Sequence, residues 1–430
     1  MSDRGFVSPE PEETFAEALA RLPMEELLGR AHEATEAMVD RALATAPVER
    51  TMFDFAALPM ERLLRESRAA SPGSVERALA TSPVDRTLSD FAALVSPAAG
   101  ERLEDVAAAS RRLTLARFGR TMHMYAPLYL SNECLTTCVY CGFARELPIA
   151  RKTLSPEDTM GEARFLLRQG FRSILLLTGE HQRLTGVEFL EERIRLLARE
   201  VPTLTIEVQV WSEAEYRRLA AAGCDGVVIY QETYHPETYA KVHLAGKKRQ
   251  YEWRLLGPER AARAGMRRIG IGALLGLHED WRYEALATDA HARFLMKRYW
   301  RTQVSVSVPR LRPSAAGWQS ANPIGDGELV QLVCALRLAL PDAGIVISAR
   351  EAAEFRDGLF SVGVTHTSAG SHAEPGGYNK PKEATEQFEV ADLRSPAEVA
   401  GRLRELGYEP VWEDWGAVLP ATETMLTRQS

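Results

Sequence analysis

The chain contains no run of about 18 apolar residues, roughly the minimum for a helix that crosses a membrane. Its first residues, MSDRGFVSPEPEETFAEAL, lack the apolar stretch behind a basic start that marks a secretory leader. A soluble, cytoplasmic protein without a membrane partner is therefore expected. Positive charge is short as well: 52 Lys and Arg against 59 Asp and Glu leave a formal net charge of -7. With no broad basic face, a nucleic-acid backbone is a poor partner, and short basic runs such as Lys247-Lys248-Arg249 read as solvated surface. Cysteine is scarce and oddly placed: there are five in 430 residues, three of them within eight positions. An odd, clustered set makes a poor disulfide framework and a good metal or cluster signature, which implies a reducing compartment.

Apolar residues are plentiful, at 45% of the chain against 26% charged. That composition and length suit one large catalytic domain, and a β/α barrel with additions fits. The first hundred residues hold an internal duplication: MVDRALATAPVERTMFDFAAL, from Met38, returns as SVERALATSPVDRTLSDFAAL from Ser74, a period of 36. Two copies are too few for a solenoid. The Ala/Leu/Glu/Arg-rich pattern, broken by Thr or Ser and Pro, predicts short amphipathic helices that pack on the barrel.

From about residue 120 the pattern becomes short β-rich apolar runs alternating with helical stretches. The predicted strands are MHMYAPLYL, RSILLLTG, LTIEVQV, GVVIY, RIGIGAL, QVSVSV, GIVIS and VGVTHTS. Between them lie helices such as SPEDTMGEARFLLRQG, with Ser155 placed as N-cap, Asp158 three residues on, and Gly170 at the C-cap position. Eight strands with helical crossovers imply an α/β fold, a (β/α)8 TIM-type barrel. The expected organisation is a duplicated helical region over 1–118 (copies at 38–58 and 74–94), the barrel over 119–375, and a C-terminal segment over 376–430. That last segment carries a helix from about Pro396 to Leu406 and is expected to cap one end of the barrel.

The run YLSNECLTTCVYCGF follows the first predicted strand, so Cys134, Cys138 and Cys141 fall on the catalytic face of a barrel. Three thiolates on a four-iron cluster leave one iron open, the mark of a catalytic rather than a structural centre. Zinc would want a fourth ligand, and no Cys or His occurs between Cys141 and His181. Cys224 and Cys334 sit in apolar surroundings and read as buried small hydrophobes.

This C-x3-C-x2-C spacing, with Tyr140 before the third cysteine, resembles the radical S-adenosylmethionine superfamily. The resemblance implies a four-iron four-sulfur cluster whose open iron chelates the amino and carboxylate groups of S-adenosylmethionine. It places Tyr140 and Phe143 beside the cofactor and gives the Thr178-Gly179-Glu180 segment the methionine amino group. The runs YAPLYLSNEC, LLTGEHQ, EVQ, YQETYH, GALLGL, SVPRLRP and PGGY narrow the likeness to the 2-iminoacetate synthases, the tyrosine lyases of bacterial thiamine biosynthesis, and it extends from about Val75 to Trp415.

The family reaction cleaves the Cα–Cβ bond of L-tyrosine to 2-iminoacetate and 4-methylphenol, with thiazole synthase as partner and a flavodoxin or ferredoxin as one-electron reductant. The substrate carboxylate calls for an arginine fork, and Arg350, Arg310 and Arg312 are the candidates. Likeness to the related tryptophan lyases points to Arg350, helped by Ser368 and Tyr129. Glu207 and Gln209 alternate along the third predicted strand and are expected to face the barrel interior, against cofactor or substrate. Gln231, Glu232, Tyr234 and His235, together with His181 and Gln182, are the candidates near a proton-transfer step. Gly270 and Gly272 offer bare backbone to a flat ring such as adenine, or serve packing alone.

Three other readings remain: a tryptophan lyase, the tyrosine lyase of hydrogenase maturation, and an inert cluster-bearing scaffold. The second carries further C-terminal cysteines for another cluster, whereas no cysteine follows Cys334. The third has no need of Arg350, Glu207 and Thr178-Gly179-Glu180 on one face.

Overall fold

A computed structural model of the chain describes residues 60–379 and 383–413. The first copy of the duplication, 38–58, lies outside them. The second forms two helices, Pro72–Ala80 and Leu88–Leu94. Each begins as its sequence dictates: the Ser71 hydroxyl accepts from Ser74 N, and Thr87 and Asp90 make a reciprocal capping box.

The core is a closed barrel of eight parallel strands: β1 (Thr121–Ser131), β3 (Ser173–Thr178), β4 (Thr203–Glu207), β5 (Gly226–Glu232), β7 (Arg268–Ala273), β8 (Gln303–Ser307), β9 (Gly344–Ile347) and β10 (His366–Ser368). Closure comes from β10 pairing with β1, His366 opposite His123. All eight predicted strands are present, and helices fill the crossovers between them. The helix Pro156–Arg168 starts at Ser155, whose hydroxyl accepts from Asp158 N at 3.0 Å, and the chain then turns at Gly170, where φ is +104°.

Three short strands lie outside the barrel's closed ring. β2 (Thr137–Cys138) pairs antiparallel with β6 (His243–Ala245) above the mouth, and β11 (Glu409–Val411) pairs with the first three residues of β1. Among the described residues no helix is long and apolar enough to cross a membrane.

The C-terminal segment does more than cap one end. Residues 383–392 cross the C-terminal mouth of the barrel, where Gln387 N donates to Ala373 O, and Ala391 N and Asp392 N both donate to Ala349 O. The helix Pro396–Glu405 then carries the chain to β11 at the opposite end. The strap is held by a buried ion pair: Arg356 Nη1 lies 2.5 Å from Asp392 Oδ2, with both side chains essentially inaccessible. Arg356 also donates to Thr367 Oγ1 and to the Ser368 carbonyl of β10. Removing Arg356 takes a buried donor from Thr367 Oγ1 and the Ser368 carbonyl and leaves Asp392 paired with Arg394 alone, 2.7 Å away. Arg356→Ala is therefore expected to lower stability by about 1–3 kcal/mol, the cost of unmet buried hydrogen bonds, read as a shift of the urea midpoint, with loosening of the strap seen as faster proteolysis around residue 387.

Candidate active site

The loop after β1 is built to a fixed shape. Asn132 ties it down through Nδ2 to Ala150 O at 2.8 Å and Oδ1 to Lys152 N at 2.7 Å, and Arg151 Nη1 donates to Asn132 O at 2.7 Å. The loop after β3 lies directly against it: Gly179 N donates to Ser131 O at 2.9 Å and Leu135 N to Glu180 O at 2.8 Å. A Cβ on Gly179 would stand 2.3 Å from the Glu133 carbonyl oxygen, so only glycine allows this approach.

Cys134, Cys138 and Cys141 are free thiols gathered on this loop. The Thr136 hydroxyl lies 2.9 Å from Cys134 Sγ and 3.6 Å from Cys138 Sγ. Cys141 Sγ accepts from Phe143 N at 3.4 Å and from Gln387 Nε2 at 3.7 Å. Burial pushes the Cys138 thiol up to about 12 and raises that of Cys141. Such sulfurs are protonated when bare and release protons to iron.

Among the described residues no three or more His, Cys, Asp or Glu side chains form a single-ion site. A cubane suits that spread, because each of its irons takes a separate thiolate. Polar hydrogens aimed at sulfur, three thiols on one loop and the buried, unpartnered Thr178 Oγ1 beside Gly179 fit a cluster with an open iron and a chelating ligand. Cys224 and Cys334 are buried elsewhere and donate to backbone carbonyls, as small core residues do.

An ionic network lies beside the thiols. Arg254 Nη1 meets Glu180 Oε1 at 3.1 Å, and its Nη2 lies 3.7 Å from Glu232 Oε1. Lys248 Nζ bonds the same Glu232 oxygen at 2.7 Å. Lys248 is thus not the solvated cation expected from its basic run. The pairing of β6 with β2 folds the following turn over the cysteine loop and carries Lys248 inward, while Lys247 and Arg249 stay exposed. Burial alone would raise the Glu232 carboxyl, but Lys248 and Arg254 outweigh it and hold it below the usual range. Glu232 is the one non-glycine among the described residues with a positive φ, +70°, at a break in register between β5 and β7. Strain of that kind marks functional sites. Tyr140 packs below, its hydroxyl 2.9 Å from His243 Nε2, and Phe143 meets Tyr129 edge to face at 5.9 Å.

Inside the mouth, Tyr125, Tyr129, Glu207, Tyr230, Arg350 and Ser368 line a cavity roofed by Phe388 and Val390 of the strap. Tyr129 Oη donates to Gln387 Oε1 at 2.7 Å, and Gln387 in turn reaches Cys141, so cavity and cysteine loop share one hydrogen-bonded chain. Among the described residues Arg350 makes no ion pair. Its guanidinium lies over the Phe388 ring, 3.4 Å from the centroid. Ser368 Oγ accepts from Ala349 N at 3.1 Å, which fixes the start of the Arg350 loop.

The other two arginines are placed differently. Arg310 is taken up by Glu351, Asp326 and the Ile324 carbonyl, so it is a rim ion pair rather than a free fork. Arg312 lies 3.8 Å from Glu389 and does not line the cavity. The expectation that Glu207 and Gln209 both face inward holds for Glu207 only. β4 ends at Glu207, and beyond it Gln209 turns to donate to Thr185 O at 3.1 Å. Gly272 has a packing reason: a Cβ there would stand 1.7 Å from Ser307 O on β8, and one on Gly270 would meet the Val228 side chain at 2.9 Å. His181 Nδ1 accepts from Leu184 N, a turn contact. Gln387, Phe388, Lys248 and Arg254 were not foreseen. The first two lie in a polar tail without periodicity, and nothing local marks them.

A larger cavity of about 540 Å³ occupies the other end of the barrel, around His123, Arg268 and His366. It shares Tyr125, Leu175, Tyr230 and Ser307 with the first as a common partition. Size does not select the site, because barrel chemistry belongs to the C-terminal strand ends, where the cysteines are.

A (β/α)8 barrel with a three-cysteine loop after its first strand and an acidic Gly-containing loop after its second defines a radical S-adenosylmethionine enzyme. The Radical SAM superfamily matches residues 128–290, and the Biotin and Thiamin Synthesis associated domain matches 307–409. The chain is 43% identical over 326 residues to the 2-iminoacetate synthase of Escherichia coli (strain K12), covering 76% of this chain and 86% of that relative. It belongs to the 2-iminoacetate synthase family, and is a radical S-adenosylmethionine lyase using a [4Fe-4S] cluster.

Its fold resembles the crystal structure of HydG, a maturase of the [FeFe]-hydrogenase, at TM-score 0.79 and 28% identity over 84% of this chain and 81% of that one. HydG from Carboxydothermus hydrogenoformans gives 0.69 and 30%, over 92% and 86%.

Burial pushes the Glu207 carboxyl up to about 7 from an ordinary 4.5, against the lowering pull of Arg350. The folded chain thus holds this proton more tightly than the unfolded one. Its contribution to stability is complete below about 4.5 and disappears as pH rises through about 7. Glu207→Gln should flatten the fall in melting temperature between pH 5 and 8; parallel wild-type and variant curves would show that Glu207 does not hold the proton.

Proposed function

We propose that this enzyme cleaves the Cα–Cβ bond of L-tyrosine, yielding 2-iminoacetate and 4-methylphenol, with S-adenosylmethionine consumed to 5′-deoxyadenosine and methionine. The observation that carries the substrate assignment is Arg350: a guanidinium without an ion pair among the described residues, in an aromatic-lined cavity joined to the cysteine loop through Tyr129 and Gln387. A planar fork in an apolar, aromatic pocket is what an amino-acid carboxylate with an aromatic side chain requires.

Cys134, Cys138 and Cys141 hold the cluster, and Thr178, Gly179 and Glu180 with Arg254 and Glu232 offer polar contacts to the ligand of the open iron. When bound, cluster and S-adenosylmethionine supply the radical that takes a hydrogen atom from the tyrosine nitrogen. The chain's own residues do the rest. Arg350, steadied by Ser368 through the Ala349 amide, anchors the carboxylate. Tyr125, Tyr129 and Tyr230 set the ring's plane, and Glu207, whose carboxyl burial pushes up to about 7, keeps a proton to donate into the cavity on the acid side of neutrality. Phe388 and Val390 exclude water from a reactive imine. Tyr234 and His235 are engaged, with His291 and Thr238, and Glu232 with Lys248, so none of the three stands free as a proton donor. The imine suits transfer to a thiazole synthase, and a small one-electron carrier completes the partners.

Reconstituted without oxygen and reduced by dithionite, the enzyme should give tyrosine-dependent 4-methylphenol, glyoxylate from imine hydrolysis, and 5′-deoxyadenosine by mass spectrometry. Products from tryptophan alone would overturn the substrate assignment. Arg350→Ala should reduce kcat/KM for tyrosine about 10- to 100-fold, the value of a charge-assisted hydrogen bond, while the cluster's absorption is unchanged.

A further inference from the structure

Among the described residues six large hydrophobic side chains are exposed, and three of them, Leu135 (41%), Leu184 (48%) and Leu244 (50%), belong to segments that are bonded to one another around the cysteines. Leu135 follows Cys134 and its amide donates to Glu180 O; Leu184 closes the turn after that glutamate. Leu244 lies between His243 and Ala245, the residues paired with Cys138 and Thr137. No core requirement explains apolar side chains on three separate loops at one spot, and exposed patches of this kind mark interaction surfaces.

The same segments carry charge of one sign. Over 133–146, 181–184 and 241–249 the exposed cations are Arg145, Arg183, Lys241, Lys247 and Arg249, five in all, against two carboxylates, Glu133 and Glu146. Lys248 is left out because Glu232 neutralises it. The chain as a whole is at -7, so this face is a local reversal. Cys134 and Cys141 are partly exposed between these loops.

We propose that the surface formed by Leu135, Leu184 and Leu244, ringed by Arg183, Lys247 and Arg249, is the docking face for an acidic one-electron carrier protein. The inference rests on the radical S-adenosylmethionine reading, which requires one external electron for each S-adenosylmethionine cleaved and a second, with a proton, to bring the benzylic fragment to 4-methylphenol. Apolar centre and basic rim match a small acidic partner: the rim steers encounter and the leucines hold the complex. The electron then enters at the cysteine loop itself, where Cys134 and Cys141 are partly exposed.

The test uses full-length reconstituted enzyme and a purified, acidic flavodoxin, with L184S/L244S and R183E/K247E/R249E as variants. Calorimetry should show flavodoxin affinity falling at least tenfold in both, with the wild-type affinity declining as salt rises. Cluster reduction by flavodoxin, followed by electron paramagnetic resonance, should slow by a similar factor. Reduction by dithionite and the dithionite-driven yield of 5′-deoxyadenosine should stay within twofold of wild type, because a small reductant needs no docking face. Unchanged affinity and unchanged flavodoxin-driven reduction in both variants would overturn the proposal. Failure of the wild type to make 5′-deoxyadenosine even with dithionite would instead overturn the enzymatic reading on which it rests.

Discussion

Ser131 and Glu180 lend their carbonyls to the amides of Gly179 and Leu135, and through those two hydrogen bonds the cysteine loop is fixed to the next strand's loop. The contact is possible because Gly179 has no side chain to strike the Glu133 carbonyl. A second close approach lies on the other side, where a Cβ on Gly142 would stand 2.5 Å from the Gln387 carbonyl of the strap. Held between these two contacts and stitched to β6, the loop gathers its thiols in one place. Such preorganisation is what an open, reactive cluster needs, because a loop that moved would let water and wrong ligands reach the free iron.

The charges at the mouth divide by how they are compensated. Arg254, Lys248, Glu180 and Glu232 neutralise one another within a buried network, and Arg310 is saturated at the rim. Arg350 alone of the three candidate arginines faces the cavity, covered by an aromatic ring. Glu207 lies in the same chamber with its proton held up toward neutrality. Burying charges without partners is unfavourable, so an arginine kept in this condition is poised for a ligand that brings the missing carboxylate.

Much of this was legible in the chain. The alternation of β-rich runs and capped helices gave all eight strands, because strand and helix periods are local properties of side-chain pattern. Ser155 caps the helix its spacing announces. The three cysteines and the TGE segment could be found for the same reason: their ligands act from one short loop. The roles of Gln209 and Arg310 could not be read, since residue type and strand position do not say whether a neighbour such as the Thr185 carbonyl or Glu351 already satisfies a side chain. Lys248 shows the same limit from the opposite direction, a surface-like run folded inward by a strand pair of two and three residues.

By itself, then, the sequence determined the barrel, the cysteine loop and the chemistry those thiols support, all of which are encoded over stretches of a few to a few dozen residues. Tertiary structure alone decided which arginine stays uncompensated, that Gln387 joins the cavity to Cys141 across 246 positions, and that the segments carrying Leu135, Leu184 and Leu244 meet around the thiols. Those are relations between residues far apart in the chain, set by how the barrel closes, how the glycines permit close approach and where the C-terminal strap crosses the mouth.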